Sequence, residues 1–217
     1  MTDHVLFTWS LVIPVKVLAE AKSRLAALAG KRRAELALAL AADTVAAVLA
    51  CPEAAQVIVV TDDEVAAGQL GELGVQAVVP DEPRDGLNAA LKYGAAYASA
   101  RWPHSGTAAL SADLPALRPS EISRALGAAA AWPSAFVPDA PGEGTTLYTA
   151  APGVAFTPKF GYGSRARHAA AGATELRLPD ISGLRRDVDT PDDLRGAQRL
   201  GLGARTSALA RDLLQPT

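Results

Sequence analysis

Residues 33–62 read RAELALALAADTVAAVLACPEAAQVIVVTD, and the fold turns on how this stretch divides. Its first half places Leu36, Leu40, Thr44, Ala47 and Val48 at helical spacing in an alanine-rich run free of glycine and proline, which predicts a helix over 33–49. Its second half, residues 57–60 ahead of Thr61 and Asp62, is a short apolar run of the kind that forms a buried parallel strand. Upstream, residues 11–15 (LVIPV) form a second such run that ends at Lys16. Downstream the alternation continues, with a helix over 64–73, a strand over 76–79, a helix over 87–100, a strand over 108–111 before Asp113, and a helix from Pro119 to about residue 130. Alternating strands and helices predict a largely parallel α/β sheet.

The regularity breaks after that helix. Residues 135–137 and 146–149 read as strands around a Gly-rich turn at 141–144, followed by a helix over 164–171, a strand near 175–178 and a short strand approaching Asp187. Helices after Pro191 and over 204–213 complete the chain. No internal repeat or linker divides it, so residues 1–217 are expected to form one domain with a mostly parallel, mixed sheet flanked by helices.

Composition narrows the function. With 49% hydrophobic residues the chain can bury one substantial core, and a net charge of -2 gives no basic surface of the kind that nucleic acid requires. Cys51, the single cysteine, excludes an internal disulfide and reads as a core thiol. No run has the length of a membrane span, and the start, with Asp3 and His4, lacks the charged region of a signal peptide, so a cytoplasmic protein without membrane or nucleic-acid partners is expected. Small-molecule chemistry is the better expectation.

In an open α/β sheet, ligands sit at the carboxyl ends of the parallel strands, where Lys16, Asp62 and Asp113 all fall. Asp62 reads as a turn or helix-cap residue. In Ser111-Ala112-Asp113-Leu114-Pro115 a small residue lets the chain turn and a carboxylate projects from a strand end, well placed to hold a metal. Asp187 and Asp189 are two apart, so in an extended segment both carboxylates face one side, and magnesium favours one or two carboxylates plus phosphate oxygens. Thr190, Pro191, Asp192 and Asp193 are equally explained as the start of a helix, which leaves Asp187 without a structural reason.

Pro14-Val15-Lys16 followed by Ala21-Lys22-Ser23-Arg24-Leu25 presents three cations that suit a triphosphate or are simply solvated. The chain has no Walker A loop, and no G-x-G-x-x-G follows the first strand. Gly142-Glu143-Gly144-Thr145-Thr146 and Phe160-Gly161-Tyr162-Gly163-Ser164-Arg165 each read either as an anion-binding loop or as a plain turn or helix cap. His104 and His168 have no nucleophile beside them and read as surface residues without a catalytic role.

Taken in order, Ile13-Pro14-Val15-Lys16 with Ala21-Lys22-Ser23-Arg24-Leu25, Asp85-Gly86-Leu87-Asn88-Ala89-Ala90-Leu91, Ser111-Ala112-Asp113-Leu114-Pro115, Gly144-Thr145-Thr146, Phe160-Gly161-Tyr162-Gly163-Ser164 and Asp187-Val188-Asp189-Thr190-Pro191 resemble one family. It is that of the phospholactate or phosphoenolpyruvate guanylyltransferases of coenzyme F-420 biosynthesis, and the likeness runs from about Leu11 to Leu194, leaving out the first ten residues and the tail after Arg195. The resemblance implies a nucleotidyltransferase fold of the glycosyltransferase-A type. It also implies GTP as donor, with Pro14, Lys16, Lys22, Arg24, Gly86 and Asn88 in nucleotide binding, and Asp113, Asp187 and Asp189 as carboxylates for Mg²⁺. Lys22 and Asp113 are then the catalytic pair, while Thr145, with Thr146 as its neighbouring alternative, Gly161 and Ser164 hold the phosphate of the acid. An arginine-rich, lysine-poor composition suggests a GC-rich, actinobacterial source, where family members use phosphoenolpyruvate; 2-phospholactate and 3-phosphoglycerate are the alternatives. The product implies a downstream transferase that accepts it. Molybdopterin guanylyltransferases share the architecture but carry a Gly-rich loop where this chain has Ala21 to Arg24, and a silent nucleotide-binding module would bind GTP without releasing pyrophosphate.

Overall fold

The computed structural model of the chain describes residues 7–82 and 84–214, so Asp3 and His4 lie outside the described residues. The described residues form a seven-stranded sheet of β1 (Trp9–Pro14), β2 (Ala54–Val60), β3 (Ala77–Val79), β4 (Gly106–Leu110), β5 (Ser134–Pro138), β6 (Thr145–Ala150) and β7 (Thr174–Glu175) in the order β3-β2-β1-β4-β6-β5-β7. β1 pairs in parallel with β2 and β4, β2 with β3, and β5 with β7, whereas β6 runs against both β4 and β5. The mixed α/β sheet expected from the alternation is present. The helices are α1 (Ala26–Ala29), α2 (Arg33–Leu49), α3 (Glu64–Gly71), α4 (Leu87–Arg101), α5 (Pro119–Ala129), α6 (Ser164–Ala170), α7 (Pro191–Leu200) and α8 (Ala204–Leu213).

Helix α2, the element read first, packs with α3 and α5 against one sheet face, where Leu11, Ile13, Val57, Val59, Leu110 and Leu147 point. Helix α4 covers the other, against Val12, Ile58, Val60, Ala109, Phe136 and Tyr148. Gly94 lets α4 sit close, because a Cβ there would meet Val12 Cγ1 at 2.6 Å and Val60 Cγ2 at 2.7 Å. The back of α2, through Leu36 and Leu40, buries Leu25, Ala29, Val188, Leu194 and Ala197 in a third cluster. Asp43, also on α2, accepts from the Thr206 amide at 2.7 Å and so caps the start of α8, which ties the tail into the domain. Among the described residues no helix is long and apolar enough to cross a membrane.

Two expectations need correction. The strand near 175–178 shrinks to Thr174–Glu175 at the sheet edge. No strand precedes Asp187: residues 182–185 form a turn, held where the Gly183 amide donates to Glu121 of α5 at 2.9 Å. The loop through Lys22 and Arg24 contains two 3₁₀ turns, Ser23–Leu25 and Gly30–Arg32, with α1 between them.

Candidate active site

β1 lies between β2 and β4, so the chain leaves the sheet centre in opposite directions and opens a crevice beyond the strand ends. Pro14, Val15 and Lys16 from the end of β1, and Ser111, Ala112 and Asp113 from the end of β4, line a cavity of about 430 Å³ there. Lys22, Arg24, Leu87, Phe160 and Asp189 complete much of its wall. Pro14, Lys16, Lys22, Arg24, Asp113 and Asp189, gathered from distant parts of the sequence, therefore share one space.

The Lys22 ammonium donates to Asp113 and, at 2.9 Å, to Asp189 Oδ1. Burial works against its charge, but the two carboxylates outweigh burial and hold the ammonium above its ordinary pKa. For Asp189 burial again opposes charge, and Lys22, then Arg24 and Lys16, overcome it and keep the carboxyl below the usual range. Asp187 is pushed up to about 7 by burial and then by the negative charge of Asp113, Asp189 and Asp139. Among the described residues no three carboxylate, histidine or cysteine side chains already converge as a metal site. The Lys22 ammonium lies between Asp113 and Asp189 and supplies the positive charge that holds them together.

Several side chains fix these groups. Thr44 of α2 accepts from the Leu114 amide at 2.9 Å, which holds the turn just after Asp113, and the Val188 amide donates to the Asp113 carbonyl at 3.1 Å. Asp63 accepts from the Ala66 amide as cap of α3 and from the Leu18 amide at 2.8 Å, anchoring the loop toward Lys22. Asp62, read as a turn or cap residue, instead accepts from the Asp81 amide and Arg84, so the cap is one residue later. Arg33 donates to the Ala19 carbonyl at 2.6 Å and to that of Ala21. Lys22 itself sits in left-handed backbone at φ 55°, a conformation uncommon outside glycine. Thr190 and Asp193 form the capping box expected at the start of α7.

The two Gly-rich loops behave differently. The amides of Gly142, Glu143 and Gly144 all donate to the Asp139 carboxylate, at 2.7, 2.9 and 2.8 Å, so the turn reading holds and those amides are spent. Thr145 follows directly, and its hydroxyl pairs with His168 at 3.0 Å. Among the described residues Thr146 Oγ1 is buried with no partner, while its carbonyl accepts from the Ser111 amide near Asp113. In the second loop Gly161 (φ 113°) and Gly163 (φ 65°) need the freedom of glycine, and the Ser164 amide donates back to the Gly161 carbonyl at 3.0 Å.

Asn88, expected at the nucleotide, spends its amide on Phe160, accepting from its backbone N–H at 2.8 Å and donating to its carbonyl at 3.0 Å. Gly86, at φ 80°, is the exposed residue preceding α4. His168 is fully buried, which corrects its reading as a surface residue. His104 is exposed in a turn, and Cys51 is a buried thiol whose pKa burial pushes up to about 11. The sequence reading gave Thr44, Asp63, Arg33 and His168 no role in the site; only Thr44 left a signal, as a polar residue on an otherwise apolar helix face.

The chain is similar to known proteins in both sequence and fold. The family described as "Guanylyl transferase CofC like" matches residues 9–213, which extends the likeness past Arg195 through most of the tail. A phosphoenolpyruvate guanylyltransferase of Thermomonospora curvata is 63% identical over 203 residues, covering 94% of this chain and 89% of that protein. Among solved structures, a nucleotidyl transferase from Methanothermobacter superposes with a TM-score of 0.57 at 20% identity, covering 89% of this chain and 97% of the other. A Mycobacterium tuberculosis protein solved in complex with manganese superposes with a TM-score of 0.56 at 18% identity, covering 89% and 98%.

Proposed function

This chain belongs to the CofC-like guanylyl transferase family, and from that premise we propose that it joins the guanylyl group of GTP to phosphoenolpyruvate, releasing pyrophosphate. The observation that carries the reaction class is the crevice in which the acids Asp113 and Asp189 face the cations Lys16, Lys22 and Arg24, with Asp187 near enough to feel the charge of both acids. The acid substrate is taken from the 63% identical relative.

The residues present fit a hard divalent cation. Their donors are carboxylate oxygens, Lys22 already serves as a stand-in positive charge between Asp113 and Asp189, and the crowding that raises Asp187 to about 7 is relieved by added positive charge. When bound by Asp113, Asp187 and Asp189, magnesium supplies charge neutralisation on both sides of an in-line displacement. The manganese of the Mycobacterium tuberculosis structure supports the choice of a divalent ion.

The remaining steps belong to the chain. Lys22, held charged, passes from the carboxylates to the triphosphate, with Lys16 and Arg24 on the same wall. Asp113 is fixed from both sides by Thr44 and Val188, so its carboxylate keeps its aim when Lys22 moves. Thr145, Gly161 and Ser164 receive the phosphate of the acid. That phosphate is already ionised and attacks the α-phosphorus without a general base, leaving catalysis to positioning and electrostatics. The setting is the cytoplasm, with a downstream transferase of coenzyme F-420 biosynthesis accepting the guanylylated product.

The test is pyrophosphate release from GTP and Mg²⁺ with phosphoenolpyruvate, 2-phospholactate and 3-phosphoglycerate offered separately, with pyrophosphatase present. Release with phosphoenolpyruvate alone is expected. Release only with another acid overturns the substrate, and silence with all three overturns the activity.

A further inference from the structure

His168 stands out because it is fully buried yet polar, and because both of its nitrogens are committed. Its ring stacks on Tyr148 at 4.7 Å between centroids and on Phe136 at 5.6 Å, with Phe160 edge-on at 5.5 Å. Nε2 lies 2.9 Å from the Lys159 amide nitrogen, and a backbone amide can only donate, so Nε2 must present a lone pair. A neutral ring then carries its proton on Nδ1, 3.0 Å from Thr145 Oγ1. The hydroxyl of Thr145 therefore accepts from the ring and turns its own proton away, available to an anionic oxygen. A doubly protonated ring would point an N–H at the Lys159 N–H, and burial and then the neighbouring charges of Arg167 and Lys159 oppose it as well.

The same ring fixes the approach to the second Gly-rich loop. The Lys159 amide is pinned by Nε2, and the next residue, Phe160, is clamped by Asn88 and receives Arg167 at its carbonyl at 3.2 Å. Gly161 follows immediately. One imidazole thus joins Thr145 on β6 to the segment leading into Gly161.

We infer that His168 is a positioning residue for the acid phosphate: as a single neutral tautomer it orients the Thr145 hydroxyl as a donor and sets the Lys159–Phe160 segment that carries Gly161. The inference rests on the reading that Thr145 and Gly161 receive that phosphate. A phenylalanine would fill the same aromatic stack without the cost of burying two nitrogens, so packing alone does not account for the residue.

The experiment is steady-state kinetics of His168→Phe, His168→Asn and Thr145→Val, varying phosphoenolpyruvate and GTP separately. Asparagine can keep a donor at the Nδ1 position, whereas phenylalanine keeps the packing and loses both hydrogen bonds. His168→Phe is expected to raise the KM for phosphoenolpyruvate by about tenfold, as for one lost hydrogen bond to a charged group, with the KM for GTP changed less than about twofold. His168→Asn should recover most of that loss. An unchanged acid KM in His168→Phe beside a raised one in Thr145→Val overturns the inference alone. An unchanged acid KM in Thr145→Val overturns the phosphate reading beneath it. Should the variants fail to fold, ¹⁵N-histidine NMR of the wild-type protein decides: a proton on Nδ1 with bare Nε2 is expected, and the opposite tautomer or a cationic ring overturns the inference.

Discussion

The ammonium of Lys22 lies 2.9 Å from Asp189 Oδ1 while also bonding Asp113, two carboxylates separated from each other by most of the carboxyl-terminal half of the chain. A lysine so placed competes with any cation for the same acids. Lys22→Ala is therefore expected to act in opposite directions: kcat falls on the order of a hundredfold through lost charge neutralisation, while Mn²⁺ binds the nucleotide-free protein more tightly. Turnover together with electron paramagnetic resonance titration of Mn²⁺ checks both halves, and weaker Mn²⁺ binding would show that Lys22 does not compete there.

Thr44 reaches Asp113 only through the backbone, by accepting from the Leu114 amide inside the core. Thr44→Val keeps the shape and strands that amide, so a loss of about 1–3 kcal/mol in urea unfolding is expected, together with reduced kcat. Asp113→Asn should do the reverse, abolishing turnover while leaving the thermal midpoint within a few degrees of wild type.

Gly94 sets the distance between α4 and the sheet. In Gly94→Ala the new methyl meets Val12 and Val60 side chains inside 3 Å, and the expected overpacking cost of about 1–3 kcal/mol exceeds the gain in helix propensity. Chemical denaturation at constant m-value reads the difference.

His168 also predicts a pH dependence. Burial, then Arg167 and Lys159, lowers its pKa from 6.5 to about 4, so the unfolded chain takes up the proton first as pH falls. Its contribution is fully present above pH 6.5 and is lost as pH drops toward 4, on the order of 3 kcal/mol in all. Comparing urea midpoints at pH 7.5 and pH 5 should show a smaller drop in His168→Phe than in wild type.

Much of this was legible in the sequence where local signals agreed. The bounds of α2 and α8 coincide with the 33–49 and 204–213 expectations, because apolar spacing and the flanking breakers mark the same limits. Thr190 and Pro191 announced α7 through capping chemistry alone. The segment before Asp187 was misread because its Gly183 amide is satisfied by Glu121, a partner more than sixty residues away that no local pattern reveals. In the crevice, strand-end position identified Lys16 and Asp113. The amides of Gly142 to Gly144 were open to either reading until Asp139 was seen to hold all three. His168 looked isolated because its partners Thr145 and Lys159 meet it only across the fold.

The most direct test of guanylyl transfer is ³¹P NMR of the purified protein with GTP, phosphoenolpyruvate, Mg²⁺ and pyrophosphatase. The account predicts a new pair of coupled diphosphate resonances that grows as the phosphoenolpyruvate signal declines, with mass spectrometry giving the joined product. Formation of GMP or GDP with phosphoenolpyruvate left intact would contradict it.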